Sequence, residues 1–169
     1  MKRVALSPDA VVDEAARLVD EEGWEALHLG RLADRLGIKT PSLYKHVGGL
    51  PDLRRRLTLQ GLAGFRDALG AAESVAELGH AYRAFARAHP GLYAATATAA
   101  ARTQDDEELR AAADAAVAPL LRVVGDDVHA ARAVRAALHG FVTLERAGGF
   151  GLPASVDESF DRLLRTLTP

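Results

Sequence analysis

A chain of 169 residues in which 49% of side chains are apolar has material for a sizeable core, and aromatics supply only 5%; Ala and Leu make up most of the rest, which favours helix over sheet. The lack of cysteine excludes disulfides and thiolate metal sites, and no stretch approaches the ~20 apolar residues of a membrane span, so the expectation is a soluble, cytoplasmic protein. The net charge of −2 argues against a general polyanion binder, yet Arg31, Arg35, Lys39, Lys45, Arg54, Arg55 and Arg56 face only Asp34 and Asp52 in one short window, a local charge of +5 suited to phosphates at one place.

In chain order, Ser7, Pro8 and Asp9 open a first helix as cap, first residue and dipole partner. Val11, Ala15, Leu18 and Val19 share one of its faces, and Gly23 ends it. A second helix spans Leu29 to Leu36, with Leu29, Leu32, Ala33 and Leu36 inward and Gly37 as its stop. Thr40 is expected to cap a third, Pro41 to Val47, which Gly48-Gly49 breaks. A long helix follows from Pro51 to Leu69. Another runs from Ser74 to His89, burying Val75, Leu78, Tyr82 and Phe85, and Pro90 stops it.

A short helix is expected around Leu92 to Thr98. Asp105 to Val124 comes next, with an expected kink at Pro119. Asp126 or Asp127 opens the eighth, which reaches Ala147, and Ser155 with Glu158 reads as a capping box for the last, ending near Leu167. The reading is all-α, about nine helices.

Two short helices joined by Gly37-Ile38-Lys39-Thr40 have the dimensions of a helix-turn-helix. Ala33 lets the helices approach, and Ile38 and Leu43 pin them. Thr40, Ser42, Tyr44, Lys45 and His46 are hydrogen-bonding side chains clustered where a recognition helix meets bases and phosphates. A single short helix reads few base pairs, so the expectation includes a two-fold dimer on half-sites one helical turn, ~34 Å, apart or a multiple of it. Leu138, Phe141, Val142, Phe160, Leu163, Leu164 and Leu167 on the last two helices provide an apolar face for a four-helix dimer interface.

Ala33-x3-Gly37-Ile38-x-x-Pro41-Ser42-Leu43-Tyr44-x-His46-Val47 resembles the recognition region of the TetR family of repressors. Gly23-Trp24-Glu25-Ala26-Leu27 resembles that family's link between its first two helices. The resemblance implies a DNA-binding domain over residues 1–49 and a ligand-binding and dimerisation domain over 50–169. It also implies DNA contacts from Thr40, Pro41, Ser42, Tyr44, Lys45 and His46; Lys39 and Leu29 flank them. His28 stands where the family usually has threonine, and is expected to cap the second helix and meet a phosphate. Leu50 occupies the place of a common backbone-gripping lysine, and Arg54 is the candidate substitute.

The C-terminal part resembles a subgroup named for a Trp-His-Gly motif. The matching residues are His89-Pro90-Gly91-Leu92-Tyr93, Leu138-His139-Gly140-Phe141-Val142-x-Leu144-Glu145, Gly148-Gly149-Phe150 and Asp157-Glu158-Ser159-Phe160, with Leu138 in place of the tryptophan.

Partners implied are double-stranded operator DNA, a second copy of the chain and a small, largely apolar effector, for which Tyr82, Phe85, His89, Tyr93 and Phe141 are candidate pocket residues. A ligand-independent or protein-partner-controlled DNA-binding regulator is the alternative. A helical metal-binding enzyme is the remote one. Glu77-x-x-His80 has the spacing of a metal site but lacks a second pair. His139 and Glu145 lie too far apart on a helix for an acid/base pair. No cofactor, metal ligand or catalytic residue is expected.

Overall fold

The computed structural model describes residues 6–97 and 105–168. Among them nine α-helices and one 3₁₀ turn appear, in the order α1 (Pro8–Glu22), the 3₁₀ turn (Trp24–Ala26), α2 (Leu29–Leu36), α3 (Thr40–Leu43), α4 (Leu50–Leu69), α5 (Val75–Ala88), α6 (Pro90–Ala97), α7 (Glu107–Val123), α8 (Val128–Arg146) and α9 (Val156–Leu167). The all-helical expectation holds. The last residue of the expected sixth helix, Thr98, lies outside the described residues.

Local chemistry sets most of the helix starts. Ser7 accepts from the Ala10 amide at 3.1 Å ahead of Pro8, and Asp127, not Asp126, opens α8 by accepting from the His129 and Ala130 amides. Ser155 accepts from the Glu158 amide at 3.2 Å, but Glu158 turns outward to Arg162 at 2.7 Å. Only the serine half of the expected capping box therefore forms. Pro119 sits inside α7, with helix on both sides.

The chain forms two compact units, Met1–Ala63 with His89–Ala113, and Gly64–Ala88 with Asp114–Pro169. These packing units cut the chain elsewhere than residue 49, the boundary expected for the division by function.

The first unit is built on the fully buried Val11, Ala15, Leu18 and Val19 of α1, joined by Leu27, Leu32, Leu43, Val47, Leu53 and Leu57. Each buried leucine or valine contributes about 1.5–3 kcal/mol. α6 docks on α1 by a polar clamp. Asp20 accepts from the Gly91 and Leu92 amides at 2.8 and 3.0 Å and lies 3.0 Å from His89 Nδ1. Gly91 is required there, because a Cβ would collide with the backbone of Val19.

The second unit packs α5, α8 and α9 together over Leu78, Tyr82, Leu138, Val142, Phe160 and Leu164, all buried. Val75, Leu78, Tyr82 and Phe85 are buried as the periodicity of α5 requires. An arginine shares this core. Arg83, its side chain 8% exposed, donates to Glu145 of α8 at 2.5 and 2.9 Å and to Asp157 of α9 at 2.6 Å. Its guanidinium also lies 4.7 Å from the Phe160 ring centroid, close enough for a cation–π contact.

Candidate nucleic-acid interface

The helix-turn-helix follows from its turn. Gly37 is in the left-handed region at φ 65°, ψ 32°. In that conformation the Ile38 amide reaches back to the Ala33 carbonyl at 3.0 Å and the Gly37 amide to Asp34 at 3.1 Å, satisfying carbonyls that α2 would otherwise leave unpaired. Leu32 and Ala33 from α2, with Leu43 and Val47 around α3, are buried against α1.

Two details of the recognition segment depart from expectation. Lys39, not Thr40, occupies the cap position of α3, without a side-chain bond, and Thr40 is the first helical residue. The regular helix then lasts only to Leu43. Residues 44–46 form a turn in which the His46 and Val47 amides both reach the Leu43 carbonyl, at 2.8 and 3.0 Å. Val47 must return to the core, and this tightened winding delivers it there. His28 likewise sits at the cap position of α2 through its backbone, its carbonyl accepting from Leu32 at 3.0 Å, while its side chain makes no capping bond.

What remains outside is coherent. His28, Lys39, Pro41, Tyr44 and Lys45 are exposed, and Leu29, Thr40, Ser42 and His46 are half-buried. Tyr44 is 61% exposed, a large ring that the protein's own core does not use. The charge asymmetry is smaller than the bare sequence implies. Arg31 and Arg35 are paired with Glu22, Glu14 and Glu21, Arg55 with Asp106 and Glu108, and Arg56 with Asp52. Among the described residues Lys39, Lys45 and Arg54 make no ion pair. Of these, Lys39 and Lys45 bracket Tyr44 in sequence and are exposed.

The candidate effector residues fall in both units. Tyr82, Phe85 and Phe141 belong to the second, His89 and Tyr93 to the first. Tyr82 and Phe85 meet the edges of Phe65 at 5.0 and 5.3 Å, and Phe141 lies against Phe150 and Phe160 at 4.7 and 4.9 Å. Tyr93 is buried, and His89 is exposed beside Asp20, in the α1–α6 clamp. A cavity of about 350 Å³ lies in the first unit, between the starts of α4 and α7, and is lined by none of these five residues. Glu77 and His80 each have another partner. Glu77 accepts from the Glu73 amide at 2.9 Å, and His80 lies 3.6 Å from Asp161. No group of three or more potential metal-ligating residues occurs among the described residues.

The expected dimer face needs correction. Leu138, Val142, Phe160 and Leu164 are 0–2% exposed inside the protomer itself. Phe141, Leu163 and Leu167 keep partial exposure. One outward stripe of α8 carries Ala133, Ala136 and Leu144, the last 50% exposed, beside the exposed Arg132, Arg135, His139 and Arg146.

A basic, aromatic-tipped helix-turn-helix on a wholly helical body defines a DNA-binding transcriptional regulator. The comparisons agree. Residues 75–167 match the model of the tetracyclin repressor-like C-terminal domain. An uncharacterized HTH-type transcriptional regulator of Mycobacterium tuberculosis is 38% identical over 157 residues, covering 85% of this chain and 72% of that one. A second such regulator, YobS of Bacillus subtilis, is 30% identical over 97% of this chain and 92% of its own. Among solved structures, the TetR-family regulator PfmR of Thermus thermophilus shares the fold, with TM-score 0.66, 20% identity and coverage of 98% of this chain and 97% of that one. The chain belongs to the TetR family of transcriptional regulators, which are not enzymes. No helix among the described residues is long and apolar enough to cross a membrane.

Proposed function

We propose that two copies of this chain grip a two-fold operator in double-stranded DNA as a repressor, and that a small-molecule effector releases it. Tyr44 carries the reading: a ring 61% exposed on the tip of the second helix of the motif, between Lys39 and Lys45. Pro41, Ser42, Tyr44 and His46 face bases and sugars, Thr40 and Lys45 add donors, and His28, Leu29, Lys39 and Arg54 flank the backbone. Residues 1–49, with Arg54 just beyond them, serve DNA, and the rest of 50–169 serves assembly and effector.

For the dimer, the supporting surface is the outer side of α8. Ala133, Ala136, Leu144 and Ala147 are exposed there, with Ala137 and Gly140 half-buried between them. Small side chains let two helices approach closely, and Leu144 gives the apolar contact.

The test is a titration of DNA from upstream of the protein's own gene, with competitor DNA, beside Tyr44→Ala and Lys45→Ala. Sequence-selective binding by two chains per site is expected. Tyr44→Ala should weaken it by about tenfold or more, and Lys45→Ala should reduce the salt dependence by about one counterion per chain. Binding indifferent to sequence and to both variants sinks the reading.

A further inference from the structure

The cavity between the starts of α4 and α7 has a chemistry of its own. Leu50, Pro51 and Leu109 give it apolar walls, and Arg54, Arg55, Thr58 and Asp106 its polar ones. Its volume, about 350 Å³, falls at the small end of ligand sites.

Most polar groups in the wall are already committed. Thr58 Oγ1 donates to the Arg54 carbonyl at 2.9 Å. Asp106 accepts from Arg55 at 2.5 and 3.0 Å and from the Leu109 amide at 3.0 Å. Arg54 is the exception. Its Nε is buried without a hydrogen-bond partner, and the side chain forms no ion pair among the described residues. An unpaired guanidinium in the cavity wall is a permanent cation that favours an anionic acceptor, and the nearby start of α4 favours negative charge as well. The apolar walls ask the rest of the ligand to be hydrocarbon, and the Asp106 carboxylate disfavours a dianion.

We propose that this cavity is an effector site for a small monocarboxylic acid, with its carboxylate on Arg54 and its hydrocarbon portion against Leu50, Pro51 and Leu109. The regulatory part rests on the DNA-binding reading above. Arg54 held by an acid is withdrawn from DNA phosphate, so acid and operator weaken each other reciprocally.

Calorimetry and thermal melting of the intact protein with hexanoate and benzoate test the site without DNA. The matched controls are hexanol, benzyl alcohol and inorganic phosphate. Saturable binding of at least one acid is expected, at least tenfold tighter than its alcohol and than phosphate, and lost in Arg54→Gln. Leu50→Trp, which fills the cavity while keeping the cation, should abolish it too. Circular dichroism checks that both variants stay folded. Failure of both acids, alcohols or phosphate binding equally well, or binding undiminished in the folded variants overturns the site. In the DNA arm, a bound acid should raise the dissociation constant for operator. An acid that binds but leaves DNA affinity unchanged overturns the coupling alone. Loss of selective DNA binding without any acid is failure of the regulator reading, not of the site.

Discussion

The two units each hold their helices together with an arginine clasping two carboxylates, and the settings differ. In the second unit the Arg83 side chain is 8% exposed, Glu145 12%, and the guanidinium rests over Phe160. In the first, Arg55 is 35% exposed between Asp106 and Glu108, themselves 22% and 67% exposed. The same ion-pair chemistry therefore does different work. Between Arg83 and Glu145 water is largely excluded, so those two charges depend on each other, while Asp157, 74% exposed, closes the clasp from the water side. Around Arg55 water screens the pair and can replace either side of it.

The largest effect should come from breaking the buried clasp. Arg83→Ala removes the cation from Glu145 and the packing over Phe160, leaving Arg87, at 2.8 Å, as the remaining partner of that carboxylate. A loss of about 3 kcal/mol is expected in chemical denaturation. Arg83→Met with Glu145→Gln, which removes the charges but keeps volume, should recover a good part of it. A double variant no better than the single one would show that the charges themselves hold this core.

A smaller effect separates motif from scaffold. Gly37→Ala puts a Cβ at φ 65° with nothing within 4 Å to obstruct it, so only the backbone conformation is penalised, by about 1 kcal/mol. Because Gly37 sets the angle between α2 and α3, DNA affinity should fall more than stability does. Parallel titration and melting of the variant check this; equal losses would mean that the turn is scaffold only.

These contrasts mark what the sequence could convey. Gly37, the Ser7-Pro8 start and the apolar stripe of α5 were legible because each acts within a turn or two of its own position. The segment 44–46 was not read correctly, because its winding is decided by where Val47 must be buried. Leu138, Val142, Phe160 and Leu164 show by their spacing that they are buried, but spacing does not say against what, and they serve the protomer's own core. Arg83 was missed altogether. Its partners lie 62 and 74 residues further along the chain, and the available signal was a cation beside the apolar face of α5. The cavity by Arg54 was hidden for the same reason, since α4 and α7 meet only after folding.

The exposed clasp gives the smallest effect, and pH exposes it. Hydrogen bonds from Arg55 first, then from the Leu109 amide, hold the Asp106 carboxyl at about 2, below its ordinary 3.8. A carboxyl with a lowered folded-state value binds its proton more readily once unfolded. Its contribution is therefore fully present above pH 3.8 and is lost as pH falls from there toward 2. Melting curves of the wild type should lose stability through this window. Asp106→Asn should show a shallower decline there and a modest deficit at pH 7, where an exposed pair contributes little. Above pH 5 the two curves should run parallel. An unchanged slope in the variant would assign the acid sensitivity to the other lowered carboxyls, among them Glu145, held down by Arg83. Repeating the scan with Glu145→Gln would then show whether the pH response belongs to the buried clasp instead of the water-screened one.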